Sequence, residues 1–68
     1  MENKLNINFN KKSIHEKFEN WFVSYSKVNV NKVVNFEINH IEFEVIYELE
    51  NLTDKEYNRI VTFLLSII

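Results

Sequence analysis

No cysteine, glycine or proline occurs among the 68 residues. The missing cysteine removes disulfide staples and thiolate zinc sites from consideration. The missing glycine removes glycine-rich phosphate loops, and it leaves every turn to Asn, His, Ser, Thr or Lys. Arginine is also scarce, with one in the chain, and the formal net charge is −2. That is the wrong balance for a protein built to hold a phosphate backbone. Long apolar runs are absent as well. Ile60–Ile68 is too short to span a bilayer and contains Thr62 and Ser66. No apolar run follows a basic amino terminus, so neither a leader nor a membrane helix is expected, and a cytoplasmic setting is.

What is present is a dense set of aliphatic and aromatic side chains, 46% hydrophobic in all, which argues for a folded chain rather than a disordered one. A single domain of this size buries only about 60% of its unfolded surface, so oligomerisation is a common support. Charge is unevenly spread. Met1–Val34 holds six lysines and three glutamates, a balance of +3; Asn35–Ile68 holds two bases and seven acids, a balance of −5. The two halves can attract each other within one molecule or form a dipolar surface.

The most strongly patterned stretch is Lys27–Asn51. Val28, Val30, Val34, Phe36 and Ile38 alternate with polar residues, and so do Ile41, Phe43, Val45, Tyr47 and Leu49. Asn39-His40 between them fits a two-residue hairpin link. Pairing across it joins Ile38 to Ile41, Phe36 to Phe43, Val34 to Val45 and Val30 to Leu49, all on one face. The other face is acidic, with Glu37 facing Glu42, and Glu44, Glu48 and Glu50 following. Val33 and Ile46 form an apolar pair at its centre, and Lys32 falls in the apolar register beside Tyr47, its stem lying over that ring.

The flanking segments complete the fold. Lys4–Phe9 alternates as a short strand with Leu5, Ile7 and Phe9 inward. Ser13 and Glu16 fit a capping box that opens a helix from Ile14 to about Ser26, with Ile14, Phe18, Trp21, Phe22 and Tyr25 on one stripe. Thr53 and Glu56 fit a second capping box, with Leu52 and Tyr57 as the hydrophobic staple, and a helix running from Asp54 nearly to Ile68. Its inner stripe is Tyr57, Ile60, Val61, Leu64 and Ile68. Phe63, Leu65 and Ile67 widen the apolar arc beyond what one sheet face needs, so either the other helix or a second subunit covers that flank. The predicted fold is α+β, a single domain of order β-α-β-β-α, with a three-stranded sheet and two helices on one face. The third strand, the longest and most apolar, belongs in the middle.

Catalytic signals are weak. His15 and His40 are the only histidines, neither has metal-ligand spacing, and Ser13 is better used as a helix cap than as a nucleophile. No cofactor or metal is expected. The pattern points instead to a non-enzymatic interaction module, of the kind found among small inhibitors and accessory proteins of phages and mobile elements. It would present either its acidic sheet face or its broad apolar carboxy-terminal helix to a protein partner; the expected binding residues on the sheet are Glu37, Glu42, Glu44, Ile46, Glu48 and Glu50, facing a partner with a basic surface. The plain alternative for the same residues is a solvated face that deters aggregation. A homodimer through Phe63, Leu65 and Ile67 is a second expectation. The competing function is a small nucleic-acid-binding regulator using Lys4, Lys11, Lys12 and Lys17, with Trp21 and Tyr25 withheld from base stacking by burial.

Overall fold

The computed structural model describes residues 2–68. The order is β1 (Asn3–Phe9), α1 (Lys12–Ser24), a 3-10 turn (Val30–Lys32), β2 (Val33–Asn39), β3 (Glu44–Leu52) and α2 (Asp54–Ile67). The three strands form one antiparallel sheet in the order β1-β3-β2, with β3 central as its length and apolar content predict. Both helices lie on one face, packed over β1 and β3. The core between the layers includes Ile7 and Phe9 from β1, Phe18 and Phe22 from α1, Val45, Tyr47 and Leu49 from β3, and Ile60 from α2.

Four local expectations are revised. The first concerns the hairpin register. Ile38 pairs with Val45 and Phe36 with Tyr47, so the link is the four-residue segment 40–43 rather than Asn39-His40 alone. The physical reason is the Asn39 side chain, whose Oδ1 accepts from the amides of Ile41 (2.9 Å) and Glu42 (3.3 Å) and so nucleates a wider turn. The slip is an even number of residues, so the inward and outward faces survive it.

The second revision is a bulge. Val33 pairs with Leu49 and Asn35 with Glu48, which leaves Val34 as the extra residue on β2. The bulge turns Val33, expected on the polar face, towards the core, and Val34, expected to be covered on the apolar face, is left exposed. Upstream of Val33 the chain is not a strand. Asn29 caps the 3-10 turn by accepting from the Asn31 amide at 2.8 Å, and Val28 is buried while Val30 is exposed. Lys32 closes that turn and reaches away from Tyr47. Its ammonium donates to the Asn51 carbonyl and to Glu56 Oε1.

The third revision is the start of α1. It begins at Lys12 after Lys11 in the cap position, with no side-chain cap, so Ser13 lies inside the helix and does not close a box with Glu16. His15 lies inward beside Phe18 and Phe22 on the same helix face, while Tyr25 falls past the helix end and is exposed. Ser26 finishes the helix instead. Its hydroxyl donates to the Phe22 carbonyl and accepts from the Val28 amide (3.1 Å), and its own carbonyl accepts from Arg59 Nη1 (2.7 Å). α2, in contrast, opens as predicted: Thr53 Oγ1 accepts from the Glu56 amide and the Glu56 carboxylate accepts from the Thr53 amide. Such a cap contributes about 1 kcal/mol.

The fourth concerns the far end of α2. Ile68, placed on the inner stripe by its spacing, lies past the last helical residue and is exposed, whereas Phe63 is held by a parallel stack on Trp21, centroids 4.2 Å apart and planes 5° apart. The first helix therefore covers the broad flank of the second.

A chain without glycine must make its left-handed bends with other residues. Lys27 (φ 60°) and Asn51 (φ 61°) take them. Asn tolerates this region because its short polar side chain bonds locally, but lysine does not share that advantage. Lys27→Gly is expected to stabilise the fold by roughly 0.5–1 kcal/mol, read from urea denaturation. A loss of stability would mean the lysine side chain contributes more than its backbone costs.

Candidate functional site

Among the described residues, no layer covers the outer face of the sheet. Its geometry follows from the register. Across the three strands run the rows Asn6–Glu48–Asn35 and Asn8–Ile46–Glu37, with Glu44 beside Asn39 at one end. Glu50 lies at the opposite end, where β1 presents Lys4. The central strand thus displays Glu44, Ile46, Glu48 and Glu50, while Asn6, Asn8, Asn35 and Asn39 flank them. Amides alternate with carboxylates, which spares the sheet most like-charge cross-strand pairs.

Five of the six residues expected to form the binding surface share this face: Glu37, Glu44, Ile46, Glu48 and Glu50. Glu42 does not, because the longer link places it in the exposed turn rather than opposite Glu37. Ile46 stays central and half-buried, but its cross-strand neighbour is Glu37 rather than Val33. Beside it, Glu37, Asn39, Glu44 and Ile46 line a shallow depression of about 240 Å³. Among the described residues the acid–base contacts within 4.0 Å are His15 with Glu19 and Lys32 with Glu56, so none of these outer glutamates has a basic group that close. Lys4, the base nearest them in register, does not close onto them.

The residues expected at a dimer interface are placed differently from one another. Phe63 and Ile67 pack against the protein's own core, and Leu65 is 73% exposed. The lysines of the competing nucleic-acid reading, Lys4, Lys11, Lys12 and Lys17, are all exposed, but Lys4 sits on the acidic face. Trp21 is engaged with Phe63, while Tyr25 is open to solvent.

One buried constellation was not anticipated. His15 is 6% exposed and its Nε2 shares a 2.8 Å hydrogen bond with the Tyr47 hydroxyl. Around the imidazole stand Phe9, Phe36, Phe43 and the Tyr47 ring, with centroids 5.6–6.4 Å away, and Glu19 Oε2 approaches Nε2 to 3.9 Å. Burial pushes the Tyr47 phenol up to about 12, with the Glu19 charge adding to the effect. The one signal available beforehand was spacing: His15, Phe18 and Phe22 stand at i, i+3 and i+7, a helix stripe in its own right. His40, the other histidine, is exposed in the turn. Among the described residues, no three His, Asp or Glu side chains converge as a metal site would require. Every buried side-chain nitrogen or oxygen among them has a hydrogen-bond partner. No helix is long and apolar enough to cross a membrane.

Compared with protein-family models, curated proteins and solved structures, the chain matches none.

Proposed function

We propose that this protein is a non-enzymatic, cytoplasmic interaction module that docks a protein partner with a basic surface on the outer face of its sheet. It acts by stoichiometric binding, as an inhibitor or accessory protein does. The observation that carries this reading is the outer sheet face on which Glu37, Glu44 and Glu48 surround Ile46, with Glu50 further along β3, and on which none of them has a basic partner among the described residues. The depression beside Ile46 suits a lysine or arginine side chain. The aliphatic stem covers the isoleucine and the cationic head lies between Glu37 and Glu44. The flanking asparagine amides add donors and acceptors for a partner's backbone. The helices brace the sheet from behind, so the face is presented on a rigid element rather than on loops.

The experiment is a binding titration of a partner isolated by affinity capture, at low and high salt, against wild type and the Glu44→Gln/Glu48→Gln double variant. Glutamine keeps the shape and removes two charges. Affinity is expected to fall about three- to tenfold in the variant, mainly through slower association, and added salt is expected to weaken the wild-type complex in parallel. The thermal melt should hold or rise slightly, since neighbouring carboxylates on one strand repel. Unchanged affinity with an unchanged melt would return the face to a solubilising role.

A further inference from the structure

The sheet has two edges, and they differ. β1 has Lys4 within it and Lys11 beside it, whereas β2, Val33–Asn39, holds no lysine and no proline. Its protections against edge pairing are the bulge at Val34 and the single carboxylate of Glu37. Because the helices pack over β1 and β3, the inner face of β2 is left partly bare: Phe36 is 45% and Ile38 37% exposed. Next to them a groove of about 250 Å³ runs between α1 and β2, with Val23 and Val30 on its rim and Val33 and Phe36 along it.

We propose that a second copy of this chain occupies this edge, pairing β2 with β2 antiparallel about a two-fold axis at Phe36 and making one six-stranded sheet. The reason for choosing a second copy is that the strand is self-complementary in this register. Phe36 meets its twin, Val34 meets Ile38 twice, and Asn35 meets Glu37 twice, so each carboxylate faces an amide. Centring the axis on Glu37 instead would set two carboxylates directly opposite each other. The Phe36 register also brings the turn carrying Ile41, 95% exposed, alongside the partner's segment carrying Val30, 60% exposed. The exposed apolar area of Val23, Val30, Val34, Phe36, Ile38 and Ile41 comes to roughly 600 Å² per copy, close to the about 800 Å² per partner of a standard interface, with the paired backbone supplying the rest. This assembly replaces the one expected through α2, where Phe63 is already stacked on Trp21. It does not rest on the acidic face being functional.

The test is sedimentation velocity from low micromolar to millimolar concentration, joined to amide hydrogen exchange along β2 at both ends of that range. The mass is expected to double with concentration while the outward amides of β2 gain protection. Since each copy carries a net −2, added salt should strengthen this association, the opposite of its effect on a basic partner. Ile38→Lys places a lysine on the edge and should weaken association about tenfold or more, while Leu65→Lys should leave it unchanged. A monomer at millimolar concentration overturns the proposal, and so does a dimer whose β2 amides stay unprotected or one that Leu65→Lys disrupts. The exchange measurement uses the unaltered chain, so it separates these outcomes even if Ile38→Lys fails to fold.

Discussion

Phe18→Ala is expected to leave most of the protein unfolded or close to its unfolding midpoint in buffer at room temperature. Phe18 is fully buried and joins every layer of the molecule. Its ring lies 5.1 Å from Phe9 on β1, 5.3 Å from Tyr47 on β3, 5.5 Å from Phe22 on its own helix and 6.5 Å from Phe63 on α2. Removing a buried phenyl group costs about 3–5 kcal/mol, through lost transfer energy and an unfilled cavity. A domain of this length has only about 3–10 kcal/mol in total. Urea denaturation followed by circular dichroism reads the loss, and Val23→Ala on the exposed side of the same helix serves as the control, expected within about 0.5 kcal/mol of wild type. A Phe18→Ala variant as stable as Val23→Ala would mean the core is not centred on Phe18.

The second large effect is a coupling. His15→Phe keeps a ring among Phe9, Phe36 and Phe43 but takes away the one hydrogen-bond partner that the Tyr47 hydroxyl has among the described residues. That orphaned hydroxyl is expected to cost about 1–3 kcal/mol. Tyr47→Phe alone orphans His15 Nε2 and should cost a similar amount. The double variant removes both polar atoms and should recover most of the loss, because an apolar pair needs no partner. Additive losses would show that the two groups do not act together. The same tyrosine sets an alkaline limit. Its pKa is about 10 when unfolded and about 12 when folded, so the neutral form is favoured by the fold. That contribution is complete below pH 10 and is lost as pH rises from 10 to 12. Tyr47→Phe should flatten this limb relative to wild type.

Much of the architecture was legible because several local signals agreed. The alternation of β3, the Thr53–Glu56 capping box and the amphipathic helices point to one topology, and an even register slip preserves the faces that alternation predicts. What was not legible depends on contacts between distant residues or on competing local bonds. The Asn39 side chain chose a four-residue link over a two-residue one, and period-2 reasoning has no means to see it. The bulge at Val34 brought Val33 to the core face, because one inserted residue reverses the parity of what precedes it. Ser13 looked like a cap by spacing, yet the helix begins at Lys12 with Lys11 in the cap position, and the burial of His15 against Tyr47 depends on a contact between residues 32 positions apart. The acidic face was readable, except for Glu42, since its other glutamates fall on the outward parity of β2 and β3. The stack of Trp21 on Phe63 was not, since it joins residues 42 positions apart.

The acidic outer face as the docking surface is tested most directly by mapping a complex residue by residue. Amide resonances of the isotopically labelled protein are recorded as the captured partner is added, at low salt. The perturbed amides are expected to cluster at Asn35, Glu37, Glu44, Ile46 and Glu48, with those on the solvent side of α1 and α2 unmoved, and high salt is expected to reverse the changes. Perturbations centred on Leu65 and the outer side of α2, or on Lys11, Lys12 and Lys17, with the outer sheet face unchanged, would contradict a docking role for that face.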